Sequence, residues 1–325
     1  MYLCSQIHSV ATRYEELWKR LAGLYGEGEA KAIVRMLLEV GFGLSWTDIV
    51  MGTPITSPTP SKGGEPLADN GISPLLRRGG GRSQRGRGRL ETMIQRLEQG
   101  EPVQYVLGLA EFGGRTLTVN EHVLIPRPET YELCQWVIET SPDLPKGEEG
   151  LRLLDIGTGS GCIACTLAAE MPEAQVTAWD ISEEALAVAR ENAKRVGVNV
   201  TFERVDVLNG QLPVDNHQFD IIVSNPPYIC HKERATMERN VLEHEPHLAL
   251  FVPDNDPLLF YRAIAHYGQR ALMPGGWLFF EINPQYADSL TGMLNVMLYH
   301  DIELKTDQFG KQRMIRAKIK DNKNN

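Results

Sequence analysis

Two short stretches carry residue types from which a reaction could be built. Gly157, Thr158, Gly159, Ser160 and Gly161 follow the apolar run Leu153-Leu154-Asp155-Ile156, and Asn225, Pro226, Pro227 and Tyr228 follow a second apolar run over 219–224. A strand that breaks into Gly-x-Gly-x-Gly and then a helix brings backbone close to a ligand, in space a side chain would otherwise fill. An acid about 20 residues further on, at the tip of the next strand, can take both hydroxyls of a ribose. Asp180 stands there. Loop and acid together imply an adenosine-containing cofactor; on the loop alone, a tight strand–helix turn is the alternative. A dinucleotide fingerprint requires glycine where this chain has Cys162, and the Gly-Lys-Ser/Thr of a phosphate-binding P-loop is absent. A loop without those features fits S-adenosyl-L-methionine, which has no phosphates. Asp206, at the end of the following strand, could accept from an adenine amino group with Val207 against the ring, or be an ordinary strand-end carboxylate.

The second stretch suits an amino group. The lone pair of an amide or aromatic amine is delocalised, so attack through nitrogen requires it to become more tetrahedral. Two acceptors placed where its N–H groups then point favour that geometry. The side-chain oxygen of Asn225 and the carbonyl of Pro226 can supply them, Pro226 and Pro227 fix the carbonyl's direction, and Tyr228 offers an aromatic face to a planar group. Asn225, Pro226, Pro227 and Tyr228 are therefore the candidate catalytic and substrate-binding residues. Gly157 to Gly161, Asp180, Asp206, Val207 and again Asn225 are the candidate cofactor contacts. The reaction is an in-line methyl displacement in which orientation does most of the work. No metal is expected: in His244-Glu-Pro-His247 the proline prevents two ligands from sharing a helix face. The Cys162-x-x-Cys165 pair lacks a second pair and reads as small core residues on a helix.

These residues must be positioned by alternating strands and helices. From residue 151 onward, apolar runs at 151–155, 175–179, 200–204, 219–224 and 277–282 alternate with helical patterns, and two more strands are expected near 302–306 and 314–319. Such alternation means an open α/β sheet. Ser182, followed by Glu183 and Glu184, should cap one helix and Gly197 stop it. Before this lie helical patterns at 14–24, 28–40 and 90–99, a β-hairpin within 102–119, and a stiff Pro126-Arg-Pro128 segment after which Thr130 should cap a helix. Pro274-Gly275-Gly276 should be a turn before a strand.

The chain has 325 residues, a net charge of −9 and five scattered cysteines. That pattern points to a reducing compartment rather than a disulfide framework, and cytoplasm is the expected location. No apolar run approaches a membrane span. Residues 53–90 hold Lys62 and six arginines against Glu65 and Asp69, a net +5 that leaves −14 on the rest. The Pro-, Gly- and Arg-rich 52–89 stretch is expected to be a disordered insert, tolerated in a surface loop or binding RNA through its Arg-Gly end. The expected division is a helical domain over 1–99, a hairpin linker over 100–124, a catalytic domain over 125–320 and a tail over 321–325.

Read with Gly100-Glu-Pro-Val-Gln-Tyr105, Leu124-Ile-Pro-Arg-Pro-Glu-Thr130 and Glu245-Pro-x-Leu-Ala-Leu250, the two stretches resemble the peptide chain release factor glutamine N5-methyltransferase family over about residues 27–318, the insert excluded. The resemblance implies a seven-stranded, mostly parallel Rossmann-like methyltransferase sheet with a small helical N-terminal domain and a β-hairpin linker. It implies S-adenosyl-L-methionine as methyl donor and, as acceptor, the glutamine of the Gly-Gly-Gln loop of class I release factors. The N-terminal domain would help grip the release factor, and the Pro-Arg-Pro segment would lie near the methionine end of the cofactor. Tyr131 departs from the acid usual after the threonine, and the insert is foreign to the family. Two competing readings remain: an N6-adenine or N4-cytosine methyltransferase on DNA or RNA, which the −14 outside the insert opposes, and a non-enzymatic cofactor-binding module. Nucleic acid is not expected as a partner except through the Arg-Gly stretch.

Overall fold

The structure is a computed structural model that describes residues 10–51, 82–144, 150–209, 212 and 219–319. The chain divides into two compact units, 1–107 and 108–325; the boundary falls inside the 100–124 stretch.

The first unit is helical: α1 (Val10–Tyr25), α2 (Glu27–Phe42), α3 (Trp46–Met51), α4 (Arg82–Glu98) and α5 (Val103–Leu107). Leu21, Val34, Leu37, Leu38, Ile94 and Leu97 are fully buried at its centre. The helical spacing of these residues in α2 and α4 puts them on one stripe. Gly43 ends α2 in the left-handed conformation and returns its N–H to Glu39. Two expectations are corrected. Residues 52–81 of the expected insert lie outside the described residues, but 82–89 form the first turns of α4 instead of disordered chain. Arginine is a good helix former, and extending a helix already anchored by Leu90–Leu97 costs little even through Gly86 and Gly88. The first arm of the expected hairpin is also not a strand: Val106 donates to the carbonyl of Pro102, closing the turn that becomes α5. Proline is well accepted at a helix start, where an N–H would be unpaired anyway.

In the second unit a hairpin, β1 (Leu109–Phe112) and β2 (Arg115–Thr118), precedes α6 (Pro128–Thr140). Then come β3 (Arg152–Ile156), α7 (Cys162–Glu170), β4 (Gln175–Asp180), α8 (Glu183–Val196), β5 (Thr201–Arg204) and β6 (Phe219–Ser224). After the short β7 (Ile229–Cys230), α9 (Arg239–His244), α10 (His247–Leu250) and β8 (Phe251–Val252), the chain forms α11 (Leu259–Ala271), β9 (Leu272–Glu281), α12 (Ala287–Val296), β10 (His300–Thr306) and β11 (Gln312–Lys318). The main sheet has seven strands in the order β10-β11-β9-β6-β3-β4-β5. It is parallel except for the antiparallel pairs β9–β11 and β10–β11.

Both faces of this sheet are buried, which is why its strands read as continuous apolar runs. Leu153, Ile221, Val223 and Phe279 point into the core shared with α6 and α7. Their sequence neighbours Leu154, Ile222, Leu278 and Phe280 point into the core shared with α11 and α12. Ser182 caps α8 by accepting from the Ala185 amide, and Gly197 ends it at φ 80°. Thr130, by contrast, is no cap: Arg127 occupies the cap position, Pro128 opens the helix, and Thr130 lies inside it with its side chain buried. Pro274-Gly275-Gly276 lies within β9 and not before it. The register jumps there, Phe219 pairing with Leu272 but Ile221 with Trp277, so the extra residues loop out as a bulge and the strand resumes.

Candidate active site

Parallel register brings the chemical residues into one row. Ile156 pairs with Trp179 on one side and Ser224 on the other, and Ser224 pairs with Phe280. The residues that come next, Gly157, Asp180, Asn225 and Glu281, therefore emerge side by side at the carboxyl edge of the sheet. The chain runs outward from β3 through β4 to β5 and returns on the other side of β3 as β6. That reversal leaves a crevice at the strand ends where open α/β sheets bind ligands.

The glycine loop is held from both flanks. Gly157 and Thr158 donate to the carbonyl of Trp179 at 2.8 and 2.9 Å, and Gly161 donates to Thr158 at 2.8 Å. Asp180 accepts from the Gly159 amide at 2.8 Å with one oxygen and from the Ser182 amide at 2.9 Å with the other. Each carboxylate oxygen keeps a further lone pair for a ligand. Fully buried Asn192 is a bracket that the sequence reading missed. Its amide donates to Ser160 at 2.8 Å and Thr118 at 2.9 Å and accepts from the Thr118 N–H at 2.6 Å, tying the loop to the hairpin. The three glycines differ in what surrounds them. A Cβ on Gly157 (φ 74°) or Gly159 (φ 54°) would meet no protein atom within 4 Å, whereas one on Gly161 (φ 77°) would come within 3.2 Å of the Ala189 backbone. Gly161 serves helix packing; the other two open onto free space.

Asp155 was also missed. It is fully buried below the loop, and its Oδ2 accepts from the Thr158 hydroxyl at 2.6 Å and the Ala164 amide at 3.2 Å. Its Oδ1 is buried without a hydrogen-bond partner. Burial pushes this carboxyl up to about 7, against the pull of the Thr158 and Ala164 hydrogen bonds and with a further push from Asp180. A cation brought to Oδ1 would both partner it and restore the ionised form. Without one, the folded protein retains a proton that the unfolded chain releases near the ordinary carboxylate value. Stability should therefore fall as pH rises from about 4 to about 7 and then level off. Asp155→Asn is expected to flatten that decline, as read by urea unfolding across this range; an undiminished slope would place the titrating group elsewhere.

Asp206 follows β5, and its Oδ1 is engaged by the amides of Leu208 and Asn209 at 2.9 and 3.2 Å, while Val207 packs against the core cluster on the Leu154 face of the sheet. Asn225 and Pro226 stand beside the glycine loop. The Asn225 amide nitrogen is 3.1 Å from the Thr130 hydroxyl, Thr130 is 2.6 Å from Oε2 of Glu281, and the Tyr228 hydroxyl is 3.0 Å from Oε1 of Glu281. Burial first, and then the Glu281 carboxylate, raises the Tyr228 hydroxyl above its ordinary value, so it stays protonated. Arg127 pairs with buried Glu245, which also accepts from the Ile125 amide at 3.2 Å, so the Pro-Arg-Pro segment is pinned to the chain after Asn-Pro-Pro-Tyr. Between them lies a pocket of about 80 Å³ lined by Leu124, Asn225, Tyr228, Ile229, Val241 and Leu250 among others. A larger cleft of about 350 Å³, beside Phe112, Gly113, Tyr131 and Gln308, contains none of the candidate residues.

Cys162 and Cys165 are buried in α7, and burial pushes both thiols up to about 12, so they are protonated packing groups. His231 stacks on Phe251 and His247 meets the same ring edge-on. Among the described residues, no helix is long and apolar enough to cross a membrane.

A sheet of this order, with a glycine loop and an Asn-Pro-Pro-Tyr edge at its switch point, defines a methyltransferase, and residues 141–248 match the family described as Methyltransferase small domain. The release factor glutamine methyltransferase of Bacteroides thetaiotaomicron is 51% identical over 228 residues, covering 70% of this chain and 80% of that one. Proteins of the same description from Flavobacterium psychrophilum and Enterococcus faecalis are 45% and 39% identical, over 71% and 69% of this chain and 80% and 78% of theirs. The chain belongs to the release factor glutamine methyltransferase family.

Proposed function

We propose that this methyltransferase uses S-adenosyl-L-methionine to methylate the N5 side-chain amide of the glutamine in the Gly-Gly-Gln loop of class I peptide chain release factors. The observation that carries the reading is the position of Asn225, beside the glycine loop and at the wall of a small apolar pocket. The residues present fit the cofactor. Free space beside Gly157 and Gly159 admits a ligand against the backbone, and the unpartnered Oδ1 of Asp155 suits an ammonium group. Thr158, Ser160 and Gly161 complete the loop, Asp180 retains lone pairs for ribose hydroxyls, and Asp206 and Val207 flank the place for the adenine. When bound, S-adenosyl-L-methionine supplies a methyl group on a positively charged sulfur. Asn225 and the carbonyl of Pro226 accept the two N–H groups of the substrate amide and favour its pyramidal form. Leu124, Ile229, Val241 and Leu250 surround the aliphatic stem, and Tyr228 packs against the planar group and excludes water.

The helices of residues 1–99 supply recognition of the release factor, and the setting is cytoplasmic. The rival reading, a base methyltransferase on DNA or RNA, shares Asn-Pro-Pro-Tyr but requires a basic channel, and the −14 outside 53–90 opposes it. The test is incubation with methyl-labelled S-adenosyl-L-methionine and either purified release factor or nucleic acid. Label is expected on the release factor glutamine; label on nucleic acid alone would sink the proposal.

A further inference from the structure

Asn225 presents two chemically opposite ends, an acceptor oxygen and a donor NH₂, and the proposed chemistry works with only one of them facing the substrate. The amide alone does not decide which. Its neighbour Thr130 does not decide either, because a hydroxyl can donate or accept. The decision lies one residue further in. Thr130 is 2.6 Å from Oε2 of Glu281, a residue buried at the end of β9 whose backbone is fixed by the strand register and by the Tyr261 hydroxyl, which donates to the Glu281 backbone carbonyl at 3.1 Å. The other oxygen of Glu281 takes the Tyr228 hydroxyl at 3.0 Å. Both Glu281 oxygens take hydroxyl donors, the arrangement of an ionised carboxylate; in that form it only accepts, so the single proton of Thr130 is committed to Glu281. Thr130 then offers Asn225 lone pairs alone, and the group facing it at 3.1 Å must be the NH₂. The Asn225 oxygen is left toward the pocket, and no hydrogen bond among the described residues engages it.

We infer that Glu281, acting through Thr130, is the positioning residue that turns the Asn225 amide oxygen toward the substrate, while its second oxygen holds the Tyr228 ring in place. This rests on the reading of Asn225 as the acceptor for the substrate amide. The device depends on the charge of Glu281. If Glu281 is protonated, it can donate to Thr130, and the hydroxyl proton is then free to bond the Asn225 oxygen and reverse the amide. The groups acting on Glu281 are Tyr228, Arg313 on β11 and Glu129 on α6, with Tyr261 and Cys134 near enough to feel its charge. Burial raises its carboxyl, and the Thr130 and Tyr228 hydroxyls and Arg313 oppose that rise.

The test is a variant series in the full-length protein with release factor as substrate. Thr130→Val keeps the shape and removes the hydroxyl; Glu281→Gln keeps the size and removes the obligate acceptor. Each is expected to lower kcat about 10- to 100-fold with little change in cofactor affinity. Thr130→Ser, which retains the hydroxyl, should restore most of the rate. Wild-type kcat should fall on the acid side as Glu281 protonates, and Glu281→Gln should lack that limb. Wild-type rates in Thr130→Val, a Thr130→Ser no better than Thr130→Val, or an unchanged acid limb in Glu281→Gln would overturn the inference. A second readout needs no substrate: the Asn225 side-chain amide resonance should lose its hydrogen-bonded shift in Thr130→Val. If that shift is lost while wild-type protein leaves release factor unmethylated, the substrate reading fails and the positioning network stands. If release factor is methylated and the resonance is indifferent to Thr130, the network fails.

Discussion

Asn225→Ala is expected to lower the rate of methyl transfer by on the order of 10²–10³-fold, the loss seen when one preorganised hydrogen-bonding group is removed from a developing charge. Affinity for S-adenosyl-L-methionine should change little. The cradle proposed for it is the loop of Gly157 to Gly161 with Asp155 and Asp180, and those groups are held by Trp179, Thr158 and Asn192 rather than by Asn225. The fold should survive as well. Asn225 is half-buried and stands just past the end of β6, whose last residue, Ser224, keeps its own bond to the carbonyl of Ile156 at 2.6 Å. Asn225→Asp is the sharper control. It keeps the shape and an acceptor but replaces the donor facing Thr130 with an oxygen, so it should also be slow. Single-turnover rates with labelled cofactor, beside calorimetric binding of S-adenosyl-L-methionine, measure both effects. Wild-type turnover in Asn225→Ala would remove this residue from the reaction.

The parts of this site that were legible in the sequence are those whose neighbours in space are also neighbours in the chain. The Gly157–Gly161 loop, the Ser182 cap and the Asn-Pro-Pro-Tyr edge depend on a few adjacent residues, and periodicity placed the parallel strands because both their faces are buried. Local rules misled where a tertiary contact outweighed them. Thr130 looked like a cap because Pro128 precedes it; instead its hydroxyl turns inward to a carboxylate 151 residues away, which only the register of β9 with β6 brings within reach. Pro274-Gly275-Gly276 looked like a turn, but β6 holds the strand on either side of it, at Leu272 and again from Trp277 where β11 joins, and reduces it to a bulge. The Arg-Gly end read as disorder by composition, yet residues 82–89 continue a helix anchored further on. Glu281 and Asp155 escaped notice for another reason. Each reads as one polar residue at the end of an apolar strand, and neither residue type nor spacing says that Asp155 is buried with an oxygen lacking a partner.

Gly159→Ala and Gly161→Ala are expected to fail in opposite ways, and the contrast separates cofactor binding from packing inside a five-residue loop. Both glycines sit at positive φ, 54° and 77°, so each substitution carries a backbone cost of about 1–2 kcal/mol. Beyond that they diverge. In Gly159→Ala the added methyl would enter space that no protein atom borders within 4 Å, so the folded protein loses little more. Whatever that space admits is displaced instead. Overpacking against a ligand by one methyl costs about 1–3 kcal/mol, a roughly fivefold to 150-fold loss of S-adenosyl-L-methionine affinity. In Gly161→Ala the methyl meets Ala189 on α8 at 3.0–3.2 Å and Cys165 at 3.4 Å. There the same overpacking cost falls on the contact between α7 and α8, with or without ligand. Urea unfolding of the free proteins should therefore rank Gly161→Ala below Gly159→Ala in stability, and calorimetric titration should rank Gly159→Ala below Gly161→Ala in affinity. Equal affinities would mean that the cofactor does not approach the backbone at Gly159, and the open space there would then need another occupant.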